Sequence, residues 1–173
     1  MNLIFRLVIV LISGLVSKTR TSITDVHTVW FTVLPNDLDT NLHMNNGRYL
    51  TIMDLGRVDA LLRSGLFKTI AREKWMPVIA GVSMIFRRSL APFERYRLET
   101  RLIGWDEKWV YMEQTFIRKN GDLAARGYVK ATFLKKGQRV VSADIAAAAN
   151  YNGASPALSA ELVAMFPQSQ SLV

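Results

Sequence analysis

The fold of this chain is decided by a polar tract that runs directly into an apolar helical pattern. Residues 37–64 read DLDTNLHMNNGRYLTIMDLGRVDALLRS. The first thirteen of them contain two carboxylates, three amides, a phenol and one of the chain's two histidines. Apolar residues then recur at helical spacing. Polar chemistry placed just before a helix N-terminus predicts a site that uses backbone N–H groups as well as side chains.

The apolar pattern predicts one long helix from Arg48 to Ser64. Asn45 or Asn46 is suited to cap its first turn, and Gly65 is suited to end it. Apolar residues occupy two neighbouring stripes, so we expect most of the circumference to be buried. One stripe contains small residues such as Gly56, which predicts close approach to a sheet.

Strand patterns lie on both sides of this helix. Apolar and polar residues alternate over Asp25–Leu34 and again from Pro77 onward. The later elements expected are strands at Val78–Arg88, Tyr96–Trp105, Val110–Lys119 and Ala124–Lys135, a short strand or edge extension at Gln138–Val141, and a helix from Ser155 or Pro156 to Phe166. This order predicts an α+β domain with one helix on a wide antiparallel sheet. One helix cannot cover so large a sheet, so we expect burial against another copy of the chain.

The composition narrows the classes of function. At 173 residues the chain is one domain by size, and a hydrophobic content of 50% excludes a disordered chain. It contains no cysteine, which excludes a disulfide scaffold, a thiol nucleophile and thiolate metal sites. The formal net charge of +8 predicts an anionic partner: nucleic acid, anionic lipid or a phosphorylated ligand such as coenzyme A. Nucleic acid is disfavoured because the basic residues are scattered and form no recognisable motif.

The N-terminal segment permits several interpretations. Leu3–Val16 is almost entirely apolar, but it is shorter than the roughly 20 residues of a straight membrane span. It suits an interfacial anchor whose Lys18 and Arg20 meet anionic headgroups, a helix packed on the domain, or a cleaved signal. We expect a cytoplasmic protein that is membrane-associated if the segment is an anchor. The chain is expected to divide into an N-terminal segment (1–20), a main domain (21–150) and a C-terminal helix with its tail (151–173).

The polar tract resembles a known signature. Residues 37–49 are similar to the D-x-D-x-x-x-H-x-N-N-x-x-Y pattern of the hotdog-fold acyl thioesterases, the 4-hydroxybenzoyl-CoA thioesterase-like superfamily. Asp39, Asn41 and His43 match the Asp, Asn and His of the plant acyl carrier protein thioesterases. Most of residues 30–135 also resembles a membrane-associated branch of the superfamily. The segments that carry this second resemblance are 34–39, 43–46, 48–50, 87–90 and 102–106.

The resemblance implies a fold, an assembly and a reaction. The fold is an α+β hotdog, in which a curved antiparallel sheet wraps around one long central helix. The assembly is a homodimer or homotetramer with sites at the dimer interface. The reaction is hydrolysis of an acyl-CoA or acyl-carrier thioester without a metal or cofactor.

The same resemblance indicates Asp39 as the principal catalytic residue. If residues 39–43 are extended, Asp39, Asn41 and His43 share one face and form the catalytic set. Asp39 then acts as a general base or attacks the thioester carbonyl itself. Unpaired backbone N–H groups at the helix start polarise that carbonyl. The residues expected to bind substrate are Asn46, Gly47, Arg48 and Tyr49.

Structural interpretations of these residues stay open beside the catalytic one. Asp37 and Asp39 are of the type found in turns and caps, and Tyr49 is suited to helix packing. Asp54, inside the helix, is a rival carboxylate. The alternative to an enzyme is a non-catalytic hotdog protein that holds acyl chains or lipids at a membrane surface.

Overall fold

The computed structural model describes residues 2–16 and 21–166. Lys18 and Arg20, expected to meet headgroups, therefore lie outside the described residues. The elements in chain order are α1 (Asn2–Val16), β1 (His27–Thr32), a 3₁₀ turn (Pro35–Asp37), α2 (Asn46–Arg63), α3 (Leu66–Glu73), β2 (Met76–Phe86), β3 (Arg95–Trp105), β4 (Val110–Arg118), β5 (Leu123–Lys135), β6 (Gln138–Arg139), α4 (Ser142–Ala148) and α5 (Ala160–Ala164). The predicted long helix and the strands around it are confirmed. Each observed end lies within two residues of the predicted one.

The strands form one antiparallel sheet. Its order is β1-β3-β4-β5-β2, and β6 pairs with β5. Strands β3, β4 and β5 follow one another as a meander, whereas β2 reaches across to pair with β5. The long helix α2 packs on one face of this sheet, as the resemblance implies.

The start and end of α2 are set by local chemistry. Asn45 is the cap: its Oδ1 accepts a hydrogen bond from the Gly47 N–H at 2.8 Å. At the other end Gly65 has φ of +79°, a conformation that glycine adopts without steric penalty. The predicted cap and stop residues are both confirmed.

Close approach of α2 to the sheet is confirmed at Gly56. A Cβ at this position would lie 2.6 Å from both Leu98 Cδ2 and Thr100 Oγ1. Beside it the buried Gln114 of β4 donates from Nε2 to the Met53 carbonyl and to Thr100 Oγ1, each at 2.9 Å. This amide therefore ties the sheet to the helix in the core, because both elements supply its acceptors.

Helix α1 packs along α2. Val10 is buried, and a Cβ on Gly14 would lie 2.7 Å from Leu62 Cδ1. The packed-helix interpretation therefore describes the inner face of α1. Its outer face carries large exposed apolar side chains: Ile4, Phe5, Val8, Ile9, Ile12, Leu15 and Val16. Among residues 2–16 and 21–166, no helix combines the length and apolarity that crossing a membrane requires.

The predicted C-terminal helix is wrong in its extent. Helix α5 covers only Ala160–Ala164, and the Ser159 side chain caps it. Upstream, the Ser155 hydroxyl accepts from the Trp105 N–H and donates to the Trp105 carbonyl, both at 2.7 Å. These bonds hold residue 155 against the end of β3, so the segment before α5 lies across the sheet instead of coiling. Leu162 and Phe166 then pack near Tyr111 on the face away from α2.

Strand β2 lies at one margin of the sheet. It pairs with β5 on one side, and it has no strand partner on the other side within the described chain. Several of its large apolar side chains are exposed: Met76, Ile79, Val82, Ile85 and Phe86. A long, apolar, unpaired margin is a surface that proteins normally cover.

Candidate functional site

The polar tract before α2 forms a tight loop. Leu38 and Met44 pair as an isolated antiparallel bridge, and the Asp39 N–H donates to the His43 carbonyl at 2.9 Å. Leu42 has φ of +59°. The expectation that residues 39–43 are extended is therefore wrong, and the alternation that placed three side chains on one face does not apply.

The physical reason lies in the Asp39 side chain. Its Oδ1 accepts a hydrogen bond from the Asn41 N–H at 2.8 Å and a longer one from the backbone N–H of His43 at 3.4 Å. An aspartate that bonds the backbone two residues onward favours a turn over an extended strand. Asp39 is half-buried, and its Oδ2 makes no hydrogen bond within the described residues. One carboxylate oxygen is thus fixed, and the other is available for chemistry.

Asn41 and His43 lie on the same loop but are exposed. In the described part of the chain neither side chain bonds to the Asp39 carboxylate, which accepts hydrogen bonds from backbone N–H groups. The loop therefore brings the three residues together in space without organising their side chains. Their assignment as a catalytic set stays a prediction.

The backbone donors at the start of α2 are mostly occupied. The Gly47 N–H donates to Asn45 Oδ1, and the Arg48 N–H donates to the Asn45 carbonyl at 2.9 Å. The expectation that these two groups are unpaired is wrong, because the cap residue satisfies both. The Asn46 N–H has no hydrogen-bond partner among the residues described. Of the three expected donors, it is the one that the described residues leave without an acceptor.

The interpretation of Asp37 as a turn residue is confirmed, because it ends the 3₁₀ turn. Sequence reasoning missed that its side chain is 0% exposed and bound to two arginines. Its Oδ2 accepts from Arg6 Nη2 at 2.6 Å and from the Leu34 N–H at 2.9 Å. Its Oδ1 accepts from Arg48 Nη2 at 2.8 Å, and its carbonyl accepts from the Asn45 N–H. Asp37 therefore joins α1, the loop and the first turn of α2.

One signal in the sequence could have revealed this cluster. Arg6 is the lone charge inside an apolar helix, and a buried arginine requires a carboxylate partner. Arg48, expected to bind substrate, instead donates to Asp37 through both Nε and Nη2. Its guanidinium stabilises the loop from inside.

Tyr49, the last predicted substrate-binding residue, is a core residue. Its ring meets Phe86 and Phe116 edge-on, with centroids 5.1 and 4.9 Å away. Burial raises the pKa of the phenol to about 12, so it stays protonated at neutral pH. This matches the packing interpretation of the sequence.

An apolar cavity of about 250 Å³ lies between α2 and the sheet. Its walls come from α2, the sheet and α4, and include Leu61, Met112, Phe133 and Ile145. None of the predicted site residues lines it. Asp54 does: its side chain is 62% exposed and pairs with Arg57, which also lines the cavity. Within one chain, the hydrocarbon-sized space therefore lies beside Asp54 and not beside the Asp39 loop.

A larger groove of about 420 Å³ lies on the opposite face of the sheet, beneath the segment that leads into α5. Charged residues such as Arg101 and Glu113 line it, and they pair with each other at 2.8 Å. None of the residues of the polar loop lines this groove, and charged side chains contribute to its walls, whereas the walls of the smaller cavity are mostly apolar. In the part of the chain that the structure describes, no group of His, Asp or Glu is placed to hold a metal ion.

The second histidine has a structural role. His27 is buried in β1, with Nε2 3.1 Å from the Ser22 carbonyl and Nδ1 3.3 Å from the Thr21 hydroxyl. Burial lowers the pKa of its imidazole, so it is neutral at physiological pH.

Comparison with known proteins identifies the family of the chain independently of the site geometry. The model of the Thioesterase-like superfamily matches residues 33–168. The protein THEM6 of Xenopus laevis is 42% identical over 93 residues, which are 54% of this chain and 45% of that protein. The chain thus spans about half the length of this curated relative.

Solved structures agree with the architecture. YbaW of Escherichia coli, described as a probable thioesterase, superposes with a TM-score of 0.67 at 17% identity, over 70% of this chain and 95% of that one. SAV2348 of Staphylococcus aureus, solved in complex with CoA, gives a TM-score of 0.66 at 16% identity, over 90% and 100% of the two chains. At such identities the likeness concerns the fold alone, and the predicted hotdog fold is confirmed.

Proposed function

The chain belongs to the thioesterase-like superfamily, and from this premise we propose that it hydrolyses acyl thioesters of coenzyme A or of an acyl carrier protein. The observation that carries the proposal is the apolar cavity of about 250 Å³ between α2 and the sheet. Such a space suits a hydrocarbon chain, because it offers apolar walls with a few polar groups at the rim. The net charge of +8 suits the phosphates of coenzyme A. SAV2348 of S. aureus, which shares the fold, was solved in complex with CoA.

We assign the reaction to the Asp39 loop. Asp39 Oδ2 takes a proton from water while the water oxygen bonds to the thioester carbonyl carbon. The Asn46 N–H stabilises the negative oxygen that forms. The C–S bond then breaks, and the leaving thiolate recovers the proton from Asp39. In the nucleophilic alternative, the Asp39 carboxylate attacks the carbonyl carbon, and the C–S bond breaks to release the thiolate. Water then hydrolyses the resulting anhydride, which frees the acid and regenerates Asp39.

Asp54 is the second candidate for the same role. It lies at the rim of the apolar cavity, and the Asp39 loop does not. Its partner Arg57 also donates to Gln114 Oε1 at 2.7 Å, which holds the guanidinium in place. If Asp54 is the base, the scissile bond lies over the middle of α2 and not over its N-terminus.

We further propose that the active form is at least a homodimer, formed along β2. The support is the exposed apolar margin of that strand, which needs a cover. We propose that the sites lie at this dimer interface, as the family resemblance implies, with the loop of one chain serving the cavity of its partner. A homotetramer would add a second interface to this dimer.

Association with a membrane surface through residues 1–20 is part of the same proposal. The outer face of α1 supports it, because seven large apolar side chains are exposed there. The competing function, a non-catalytic acyl-chain-binding protein at such a surface, uses the same cavity and requires no catalytic carboxylate.

Turnover of a panel of acyl-CoAs by the purified chain distinguishes the enzyme from the binding protein. Asp39→Asn should lower turnover by about 10²-fold or more. Asp54→Asn tests the rival under the same conditions. Asp144→Asn, at an exposed position in α4, is the matched control and should keep wild-type turnover. Wild-type rates in Asp39→Asn would remove Asp39 from the mechanism.

A further inference from the structure

Two large apolar side chains beside the candidate site are held in a conformation that such residues rarely adopt. Leu42 and Phe93 have φ of +59° and +60°, and they are 66% and 68% exposed. The other non-glycine residues at positive φ in the described chain are two lysines and an asparagine. Bulky side chains in this region are outliers, and outliers of this kind concentrate at functional surfaces.

The two loops that carry these side chains are bonded to the same part of the molecule. The Phe93 N–H donates to the Val33 carbonyl at 3.0 Å, just before the 3₁₀ turn. The Met44 N–H, two residues after Leu42, donates to the Leu90 carbonyl at 3.0 Å. Residues 90–93 therefore contact the chain on both sides of the Asp39 loop, and both apolar tips lie at its rim.

The exposed face of α1 begins at the same place. Arg6 Nη2 donates to the Thr32 carbonyl at 2.7 Å and to Asp37, which fixes the first turns of α1 beside the end of β1. Ile4 and Phe5, the residues just before Arg6, are 65% and 67% exposed. The start of α1 and residues 90–93 are thus both bonded to residues 32–37, the segment from which the Asp39 loop begins.

An exposed cation and an exposed aromatic ring lie within a few residues of Phe93 and its partner Val33. The Arg95 guanidinium lies 4.9 Å from the ring centroid of Trp30. Arg95 has no carboxylate partner among the described residues. Apolar tips with tryptophan and arginine beside them are the combination that suits an anionic lipid interface.

We propose that Leu42 and Phe93, together with the outer face of α1, form one surface that docks the candidate site on an anionic lipid bilayer. In one respect this docking surface rests on the proposed thioesterase function: the docked site receives acyl thioesters whose chains partition into the bilayer. Burial of the two side chains in the interface explains why strained loops present them to solvent in the free chain.

The test removes each side chain without adding backbone strain. Asparagine tolerates positive φ, so Leu42→Asn and Phe93→Asn keep the loop conformations. Flotation of the full-length chain with phosphatidylcholine–phosphatidylserine vesicles measures binding without substrate. Each variant should bind about tenfold more weakly, and the double variant weaker still. Val141→Asn, which likewise replaces an exposed apolar side chain by a neutral amide but lies outside the proposed surface, is the matched control and should bind like wild type.

A second comparison tests the charge term. Arg95→Gln should weaken binding to the phosphatidylserine vesicles and leave binding to pure phosphatidylcholine vesicles unchanged. Phe93→Gly and Leu42→Gly supply the same truncations if an asparagine variant fails to fold.

Two results would overturn the docking surface. One is wild-type vesicle binding by the double variant. The other is loss of self-association on sedimentation with vesicle binding unchanged, since a second copy would then be the occupant of the loops. Absence of acyl-CoA hydrolysis by the wild-type chain in solution would refute the thioesterase proposal alone, because flotation does not depend on turnover.

Discussion

Asp37→Asn tests whether the buried ion cluster holds the site loop. The substitution keeps the size of the side chain and removes its charge, so Arg6 and Arg48 are left facing a neutral amide. Asp37 is 0% exposed and receives donors from both arginines at 2.6 and 2.8 Å. Removing one partner of a buried pair costs about 3–5 kcal/mol, because the remaining charge stays buried and uncompensated.

We expect the upper part of that range for Asp37→Asn, because two cations lose their partner. Arg6→Ala should cost about 3 kcal/mol, since Arg48 still neutralises Asp37 while α1 loses its one charged hydrogen-bonding group. Urea unfolding at constant m gives these differences directly. The exposed control Asp144→Asn should change the free energy of unfolding by no more than about 0.5 kcal/mol. A loss below about 1 kcal/mol in Asp37→Asn would refute the cluster as the anchor of the loop.

Three further outcomes are expected. Gly56→Ala should lose about 1–3 kcal/mol of stability in urea despite its higher helix propensity, because the new Cβ would lie 2.6 Å from Leu98 and Thr100; a gain in stability would contradict the close packing. Because burial lowers the pKa of His27 in the fold, the unfolded chain binds the proton more readily, and the free energy of unfolding should decrease as pH falls below about 6.5. His27→Gln should flatten this pH dependence of the free energy of unfolding, whereas His43→Gln, at an exposed position, should not. Equal slopes against pH in the two variants would rule out the contribution of His27. Val82→Lys on β2 should abolish the proposed dimer in sedimentation velocity, because a charge on an unpaired margin blocks strand pairing; a dimer that persists in this variant would place the interface elsewhere.

The elements set by local chemistry were predictable from the sequence. The Asn45 cap, the Gly65 stop and the period-two strands depend on neighbours within a few residues, and each is where the pattern put it. The site loop depends on distant contacts. Of the two arginine partners of Asp37, Arg6 is 31 residues away, and no local pattern predicts positive φ at Leu42. The extent of the C-terminal helix was mispredicted for the same reason. Ser155 bonds to Trp105, 50 residues earlier in the chain, and this contact fixes the segment before α5.

The strand order also has a consequence for synthesis. Strand β2 is completed at Phe86, but its partner β5 spans Leu123–Lys135. On the ribosome, an apolar strand of 11 residues must therefore wait for β3, β4 and β5 before either of its margins can pair. The meander β3–β4–β5 needs only short turns and can form first. A chain stalled between residues 87 and 122 would carry β2 unpaired on both sides, which makes this interval the one most exposed to aggregation and to chaperone capture.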